Sequence, residues 1–484
     1  MARGAGMKQS SCPPGPDSFF GIGEMLAFRR APLNYLQDLA RRHGDIVHFR
    51  LGWKHAFLLN HPNLVHEFLV VHASRHLRGP VMQRARVLMG QGLLTSEEPI
   101  HSAQRRLMQP AFHRDAIVRH AQIMSEYTQR VCTRWRAGES LDLHKEMTQL
   151  TLSILGKTLF DRDLEGDASE IGKVVSELMS LVDLVFVPFS QYLVNLPLPR
   201  LHRVGTARKR LDRLIYGLIA ERLKSELKGD DLLSMLLRRQ LQQDEQAAAI
   251  RQVRDECLTI LLAGHETIAN ALTWALVLLA SYPAQAAKIR EETDRVVRAN
   301  QAGAKEYEQM GCARRALAEA MRLYPPVWVL GRVIAEPCKL GQYTAPGGSI
   351  LFASQYLLHR DPRFHPEPNR FNPDRFLDSG QMQPFAYIPF GIGPRRCIGE
   401  GFALLEGTLA LGTILRYWDL QLLPETRLEL DPKVTLRPKF PVLASVRPAA
   451  GAKIDDRNPP ANLTIPNHHQ TSCKPRIVAH CSTR

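Results

Sequence analysis

A lone cysteine, Cys397, lies in the glycine-rich stretch FGIGPRRCIGEG, which runs from Phe390 to Gly401. Glycine is needed where the backbone adopts positive φ or passes close to a bulky group. A cysteine among arginines is poised to become a thiolate, which is the form that reacts and binds metals. The stretch therefore predicts a loop that holds a thiolate against something large and flat.

Polar residues interrupt an otherwise apolar helix predicted over 261–280, at Gly264, His265, Glu266 and Thr267. Burying ionisable side chains is costly unless they are paired or have a function. A Glu and a Thr on a helix more often form a surface pair, but the apolar flanks favour a buried, functional cluster here.

A third pattern places Glu319 and Arg322 three residues apart, on one face of a predicted helix, just before Leu323, Tyr324 and two prolines. A Glu-x-x-Arg pair alone is weak, because charged proteins contain many such pairs. Its position directly before the double proline makes it more specific.

The cysteine loop resembles that of the cytochrome P450 family, the haem-thiolate monooxygenases, because Phe390, Gly393, Arg395, Cys397 and Gly399 fit the pattern F-x-x-G-x-R-x-C-x-G. Such a match arises by chance in roughly one chain in ten thousand of this length. The resemblance implies haem b, with Cys397 as the iron ligand and Arg395 at a propionate. Phe390 belongs to the same implied haem site, and Gly393 and Gly399 would let the loop approach the porphyrin.

The polar cluster resembles the family's A-G-x-[DE]-T motif, with Ala263, Gly264, Glu266 and Thr267 in the matching positions. By this resemblance Gly264 opens space beside the iron, Thr267 hydrogen-bonds bound oxygen and Glu266 relays protons. Glu266 and Thr267 are thus the implied catalytic residues.

Further positions are implied by the same resemblance. Glu319 and Arg322 would join Arg375, from PNRFNPDRF, in a buried network that braces the cysteine loop. Propionate contacts are implied at three more residues, which are His101, Arg105 and Arg332.

The elements that position these residues are expected to be mainly helical, as in the cytochrome P450 fold: a large helical domain around a haem, with a small β-rich region. The pattern predicts a hairpin over 45–60, amphipathic helices over 104–136 and 203–239, strands over 332–336 and 349–354, and a helix over 403–417. We expect residues 1–16 to form a flexible leader and residues 451–484, which are poor in apolar residues, to form a disordered tail. By the resemblance, residues 17–450 would form the cytochrome P450 domain.

Composition and charge narrow the cellular setting. The eight cysteines show no CxxC pair or regular spacing, which favours a reducing, cytoplasmic setting. No apolar run before residue 20 is long enough for a signal core, and none elsewhere is long enough for a membrane anchor. We expect a soluble monomer. The net charge of +15 fits an acidic protein partner first and weak adhesion to anionic membranes second, whereas nothing else supports nucleic-acid binding.

The implied reaction inserts one oxygen atom from O2 into a C–H bond. Because no flavin or nicotinamide domain follows, electrons must come from a separate ferredoxin or flavodoxin and its reductase. The apolar segment over 180–199, where the family places its access lid, and Val327, Trp328 and Val329 predict an apolar pocket for a lipophilic substrate such as a fatty acid, terpenoid or polyketide.

Other interpretations keep the cysteine loop or discard it. A peroxide-driven peroxygenase or a haem-thiolate isomerase would keep the haem, but such relatives commonly alter the Glu266–Thr267 pair, which is intact here. A non-catalytic haem sensor, or a helical interaction protein without haem, has little need for that pair.

Overall fold

The computed structural model describes residues 12–17, 20–166, 171–172, 174, 199–224, 229–243, 245–297, 302–378, 380 and 382–450. Most of the predicted leader, most of the predicted lid and the whole predicted tail lie outside these residues. The helices are α1 (Ile22–Arg30), α2 (Pro32–His43), α3 (Pro62–His66), α4 (Pro80–Met89), α5 (Ile100–Met108), α6 (Arg114–Val118), α7 (Ala121–Arg134), α8 (Leu143–Phe160), α9 (Pro199–Lys224), α10 (Leu232–Gln243), α11 (Gln246–Ser281), α12 (Pro283–Val296), α13 (Ala304–Gln309), α14 (Gly311–Leu323), α15 (Gln355–Leu358) and α16 (Glu400–Tyr417). The strands are β1 (Ile46–Leu51), β2 (Lys54–Leu59), β3 (His76–Arg78), β4 (Ser140–Asp142), β5 (Leu330–Ile334), β6 (Cys338–Leu340), β7 (Tyr343–Ala345), β8 (Ile350–Ala353), β9 (Trp418–Leu422), β10 (Leu430–Pro432), β11 (Leu436–Pro438) and β12 (Leu443–Pro448).

Helix α11 is the centre of the helical layer, and α8, α14 and α16 pack against it. It is 36 residues long and apolar on nearly every side, a pattern typical of a fully buried helix. Among the described residues it is the one helix long and apolar enough to cross a membrane, but 83% of its most apolar window is buried inside the protein. Packing in the core therefore accounts for its hydrophobicity.

The small β-rich region is built around a five-stranded sheet in the order β1-β2-β8-β5-β3, in which β2 and β8 run parallel. Strands β1 and β2 pair antiparallel across a turn at Gly52, whose φ of 62° suits glycine, so the predicted hairpin is confirmed. Strands β5 and β8 also pair, close to the predicted ranges. The architecture is mainly α with small sheets, as predicted.

Two long amphipathic stretches are divided more finely than their periodicity alone indicates. Between α5 and α6 the chain forms a 3₁₀ turn at Gln109–Phe112, where Pro110 cannot continue the helical hydrogen bonding. Helix α10 starts afresh because the Asp231 side chain accepts a hydrogen bond from the Ser234 backbone N–H at 3.1 Å. Helix α10 packs against α11 and α8.

Candidate functional site

A cavity of about 1250 Å³ lies between the loop that precedes α16, the central helix α11 and strands β5 and β8. Cys397 and Phe390 line it on the loop, and Gly264 and Thr267 line it on α11. Most of its other lining residues are apolar. Because ligand pockets typically measure about 300–1,000 Å³, the cavity has room for a flat group together with a small molecule.

The cysteine loop is held by its own backbone. The Cys397 N–H donates to the Phe390 carbonyl oxygen at 2.9 Å. Gly393 has a φ of 76°, and a Cβ there would lie 2.2 Å from the Leu69 carbonyl oxygen, so the fold itself requires glycine. A Cβ at Gly399 would meet only ordinary contacts, the nearest being Phe112 at 3.9 Å and the Cys397 sulfur at 4.0 Å. The loop thus holds the thiol in one position.

The Cys397 thiol lies in the interior of the protein, and it is accessible there because it faces the cavity. Burial raises the pKa of this thiol, while the Gly399 backbone N–H and the cations of Arg105 and Arg396 oppose that rise. Arg105 also donates to the Arg396 carbonyl oxygen at 2.7 Å, which ties the loop to α5. A metal bound at the open side of the sulfur would favour the thiolate outright.

Three arginines form a cation cluster on the cavity wall, namely Arg78, Arg332 and Arg395. Burial, followed by the charges of the other two arginines, holds the pKa of Arg78 well below its usual range. Burial, and then Arg395, lowers the pKa of Arg332 to about 10. Glu97 partly compensates the cluster, since it accepts from the Arg395 side chain at 3.0 Å and from the Arg78 backbone N–H at 2.7 Å. A further anion would fit this cluster, and the buried Arg78 Nε has no protein partner.

His101 and Arg105 are not brought to the cavity surface with Arg332 and Arg395. His101 is buried behind the cluster, with Nδ1 3.0 Å from the Glu98 carboxylate. Burial, and then the Arg395 charge, lower the pKa of His101 to about 4, so it is neutral at pH 7. A contact of His101 or Arg105 with a bound group stays a prediction.

On α11, both implied catalytic side chains line the cavity. The Thr267 hydroxyl donates to the Ala263 carbonyl oxygen at 2.9 Å. Glu266 Oε1 accepts from the Thr435 hydroxyl at 2.7 Å, and its buried Oε2 has no protein partner.

The neighbouring glycine has a packing role on α11. A Cβ at Gly264 would lie 2.4 Å from Leu155 Cδ1 on α8. Glycine at this position therefore allows α11 and α8 to pack closely. Leu155 and Gly264 both line the cavity, at its α11–α8 wall.

The residues Glu319, Arg322 and Arg375 lie together in one ion-pair network. Arg322 donates to both Glu319 oxygens, at 2.7 and 2.9 Å, and Arg375 donates to Glu319 at 3.0 Å. Arg322 also donates to the His359 and Pro368 carbonyl oxygens at 2.7 Å each. The network joins α14 to the segment that leads to the cysteine loop.

Two cavity residues of evident chemical interest, Arg78 and Thr435, were not found from the sequence. Neither belongs to a motif: Arg78 reaches the site because β3 pairs with β5, and Thr435 because the turn between β10 and β11 contacts α11. No local signal in the sequence identifies either residue.

A haem fits what these residues offer. The cavity is large and apolar, Cys397 faces it, and the cation cluster with its unpartnered Arg78 Nε suits the two propionates. A central helix with an acid and an alcohol at the cavity completes the arrangement expected of a haem-thiolate oxygenase.

The chain belongs to the cytochrome P450 family, since the family model described as Cytochrome P450 matches residues 13–443. Cyclooctatin synthase of Streptomyces melanosporofaciens is 35% identical over 425 residues, which cover 86% of this chain and 91% of the relative. Cyclooctat-9-en-7-ol 5-monooxygenase of the same organism is 32% identical, covering 87% and 94%. Pentalenene oxygenase of Streptomyces avermitilis is 30% identical, covering 86% and 91%.

Membership of this family makes the protein a haem-dependent monooxygenase, an oxidoreductase that incorporates oxygen from O2. The fold and the monooxygenase activity expected from the sequence are confirmed, and so is a haem cofactor.

Proposed function

We propose that this chain binds haem b, with Cys397 as the iron ligand and the cation cluster of Arg78, Arg332 and Arg395 around the propionates. The observation that carries the proposal is the Cys397 thiol facing a large apolar cavity beside three arginines, of which Arg78 is buried and the other two are partly buried. When bound, a thiolate-ligated haem supplies O–O bond cleavage and oxidation of a C–H bond. Phe390 and Gly399 shape the surface beside the thiol.

Glu266 and Thr267 handle protons at the cavity. The Thr435 hydroxyl orients the Glu266 carboxylate, whose unpartnered Oε2 is available to take up and release a proton. The Thr267 hydroxyl donates to Ala263 and keeps acceptor capacity for a second hydrogen bond. This pair favours activation of O2 over the peroxygenase and isomerase alternatives.

We propose a lipophilic substrate, and among the classes considered a terpenoid. The cavity walls support a lipophilic substrate because apolar residues predominate, including Leu155, Ile260 and Phe402. The names of two relatives support the finer choice, as they specify an alkene, pentalenene, and an alkenol, cyclooctat-9-en-7-ol.

Electrons are proposed to come from a ferredoxin or flavodoxin and its reductase. Arg106 and Arg396 are exposed on or near the outer side of the cysteine loop, where an acidic donor would approach them. We further propose a soluble, monomeric enzyme. A cytoplasmic location is proposed because the six cysteines among the described residues are free thiols. Size-exclusion chromatography and salt-dependent reduction rates test these points.

The decisive experiment is the visible spectrum of the reduced protein with carbon monoxide. A Soret band shifted far to the red, lost in Cys397→Ala and kept in Cys312→Ala, is the expected result. Cys312 is a suitable control because it is a partly exposed thiol that does not line the cavity. An unshifted band in the wild type would contradict thiolate ligation, and the absence of a band after haem is supplied would contradict haem binding.

A further inference from the structure

Glu97 is, among the described residues, the one carboxylate that hydrogen-bonds the cation cluster. Its Oε2 accepts from the Arg395 guanidinium at 3.0 Å, and its Oε1 accepts from the Arg78 backbone N–H at 2.7 Å. The other side-chain hydrogen bonds of the cluster go to uncharged backbone carbonyl oxygens at 2.9–3.1 Å, those of Leu93, Gly331 and Ser96. Glu97 is therefore the counter-charge of the cluster.

The charge of Glu97 acts on all three arginines of the cluster. Burial lowers the pKa of each of them, and the Glu97 carboxylate opposes that lowering in each. The next residue, Glu98, is bonded to α5 instead, with Oε1 3.0 Å from His101 Nδ1. Glu97 thus compensates the cluster directly, whereas the neighbouring carboxylate has a different partner.

Glu97 reaches the cluster from behind the cavity wall. Its side chain is 27% exposed and does not line the cavity, whereas the Arg395 side chain lines it and is 11% exposed. The Glu97 carbonyl oxygen accepts from the His101 N–H at 2.9 Å, which fixes Glu97 just before α5. A group bound in the cavity meets the arginines, and Glu97 acts on that group through them.

The charges of the cluster match those of two propionates. Three arginines and one carboxylate leave a net charge of +2, which two ionised propionates neutralise. Removal of the carboxylate would leave one positive charge uncompensated at a site partly shielded from water, where charges interact more strongly than in solution. A surplus positive charge beside a haem favours ferrous over ferric iron, because the ferrous form carries one positive charge fewer.

We infer that Glu97 is a positioning residue of the haem site, which sets the net charge of the arginine cluster and thereby the reduction potential of the iron. The inference deepens the proposed function and rests on it, since it takes the cluster to be the propionate site. The potential determines which donors can reduce the iron. Glu97 therefore contributes to the choice of the electron donor.

Potentiometric titration of the haem-loaded protein tests this role. Glu97→Gln and Glu97→Ala both remove the charge, whereas Glu97→Asp keeps it. We expect both neutral variants to favour ferrous iron by roughly 3-fold or more, and Glu97→Asp to stay close to the wild type. Glu126→Gln is the matched control, because Glu126 is also 27% exposed and pairs with an arginine, Arg130, but does not line the cavity. Its potential should equal that of the wild type.

A second measurement needs no haem. Glu97→Gln should lower the urea midpoint of the haem-free wild type more than that of haem-free Arg78→Met, because the second background has one cation fewer in the cluster. The Arg78 backbone N–H is present in both backgrounds, so the comparison cancels its bond to Glu97. If Glu97→Gln alone does not fold, Arg78→Met should restore folding.

An unchanged potential in both neutral variants would overturn the inference, and so would an equal shift in Glu97→Asp or in Glu126→Gln. Equal destabilisation of the two haem-free backgrounds would overturn it too, as would the absence of rescue by Arg78→Met. The carbon monoxide spectrum of the same wild-type preparation separates these failures from failure of the proposed function. A normal red-shifted band with unchanged potentials contradicts the role of Glu97 alone.

Discussion

Arg78 and Arg332 occupy directly paired positions on the antiparallel strands β3 and β5, and both line the cavity that Cys397 faces. Like charges at directly opposed positions repel, and burial removes the solvent that would screen them. Burial, and then the charges of Arg395 and Arg332, lower the pKa of Arg78, whereas burial, and then the charge of Arg395, lower the pKa of Arg332. The protein thus maintains an unfavourable arrangement that an anion in the cavity would relieve.

Replacing Arg78 should separate the effect of the cation cluster on protein stability from its effect on haem binding. We expect Arg78→Met to leave the haem-free protein as stable as the wild type or more stable, because one buried cation is removed. The same variant should bind haem roughly 10-fold more weakly or worse, since it loses a charged hydrogen-bond partner. Thermal unfolding without haem and the rate of haem transfer to apomyoglobin measure the two effects.

Arg84→Met provides the control for the cluster. Arg84 lines the same cavity, but burial alone lowers the pKa of its guanidinium, without a contribution from neighbouring arginines. The Arg84→Met variant should therefore retain haem like the wild type. Equal haem loss in both variants would contradict a specific role of the cluster.

The Glu319–Arg322 pair leads to a prediction about stability. Both side chains are fully buried, and removing Arg322 leaves the buried Glu319 charge with Arg375 as its remaining cation partner. Arg322→Ala should lower the free energy of unfolding by about 3–5 kcal/mol and yield little haem-loaded protein. The exposed pair of Arg41 and Asp38 is the control, and Arg41→Ala should cost about 0–1 kcal/mol.

Urea unfolding and the haem-to-protein absorbance ratio check this prediction. Normal haem incorporation in Arg322→Ala would show that the network does not brace the cysteine loop.

The sequence predicts candidate site residues wherever one short segment contains them. The cysteine loop from 390 to 401 and the cluster at 264–267 are each read along one loop or one helical stretch, so their residue types and spacing are visible directly. The Glu319–Arg322 pair is similarly local, as both residues lie on α14.

Residues that reach the site through tertiary pairing could not be found this way. Arg78 depends on β3 lying beside β5, and Thr435 depends on the turn between β10 and β11 lying against α11. The need for glycine at two positions could not be predicted either. A side chain at Gly393 would clash with Leu69 and one at Gly264 with Leu155, and both leucines are far away in the sequence. Contacts between distant segments determine these positions.

Thr267→Ala tests the proton pair. Without the hydroxyl, we expect a larger share of the consumed O2 to appear as hydrogen peroxide, because proton delivery at the cavity is disturbed. Thr273→Ala is closely matched: its hydroxyl donates to the Ala269 carbonyl oxygen at 2.7 Å on the same helix, but it does not line the cavity. Fully coupled O2 use in Thr267→Ala, or equal uncoupling in both variants, would contradict the assignment.

Glu256 should make stability depend on pH. It is fully buried on α11, where Oε2 accepts from the Leu93 N–H and Oε1 from Gln252, each at 2.9 Å. Burial raises the pKa of this carboxyl from 4.5 to about 7. The folded protein therefore holds the proton more tightly than the unfolded chain. The resulting stabilisation is complete below pH 4.5 and is lost as the pH rises toward 7.

The comparison with Glu256→Gln isolates this effect, because the buried histidines titrate alike in both proteins. Between about pH 5 and 7.5 the wild type should lose about 2 kcal/mol of unfolding free energy relative to the variant, because its carboxyl has a pKa of about 7 in the folded protein and 4.5 in the unfolded chain. Urea unfolding at several pH values measures this difference. Glu291→Gln, which removes an exposed carboxylate of α12, is the control. Its unfolding free energy should stay within about 0.5 kcal/mol of the wild-type value across the same pH range. Parallel pH profiles for the wild type and Glu256→Gln would show that Glu256 ionises in the folded protein as readily as in the unfolded chain.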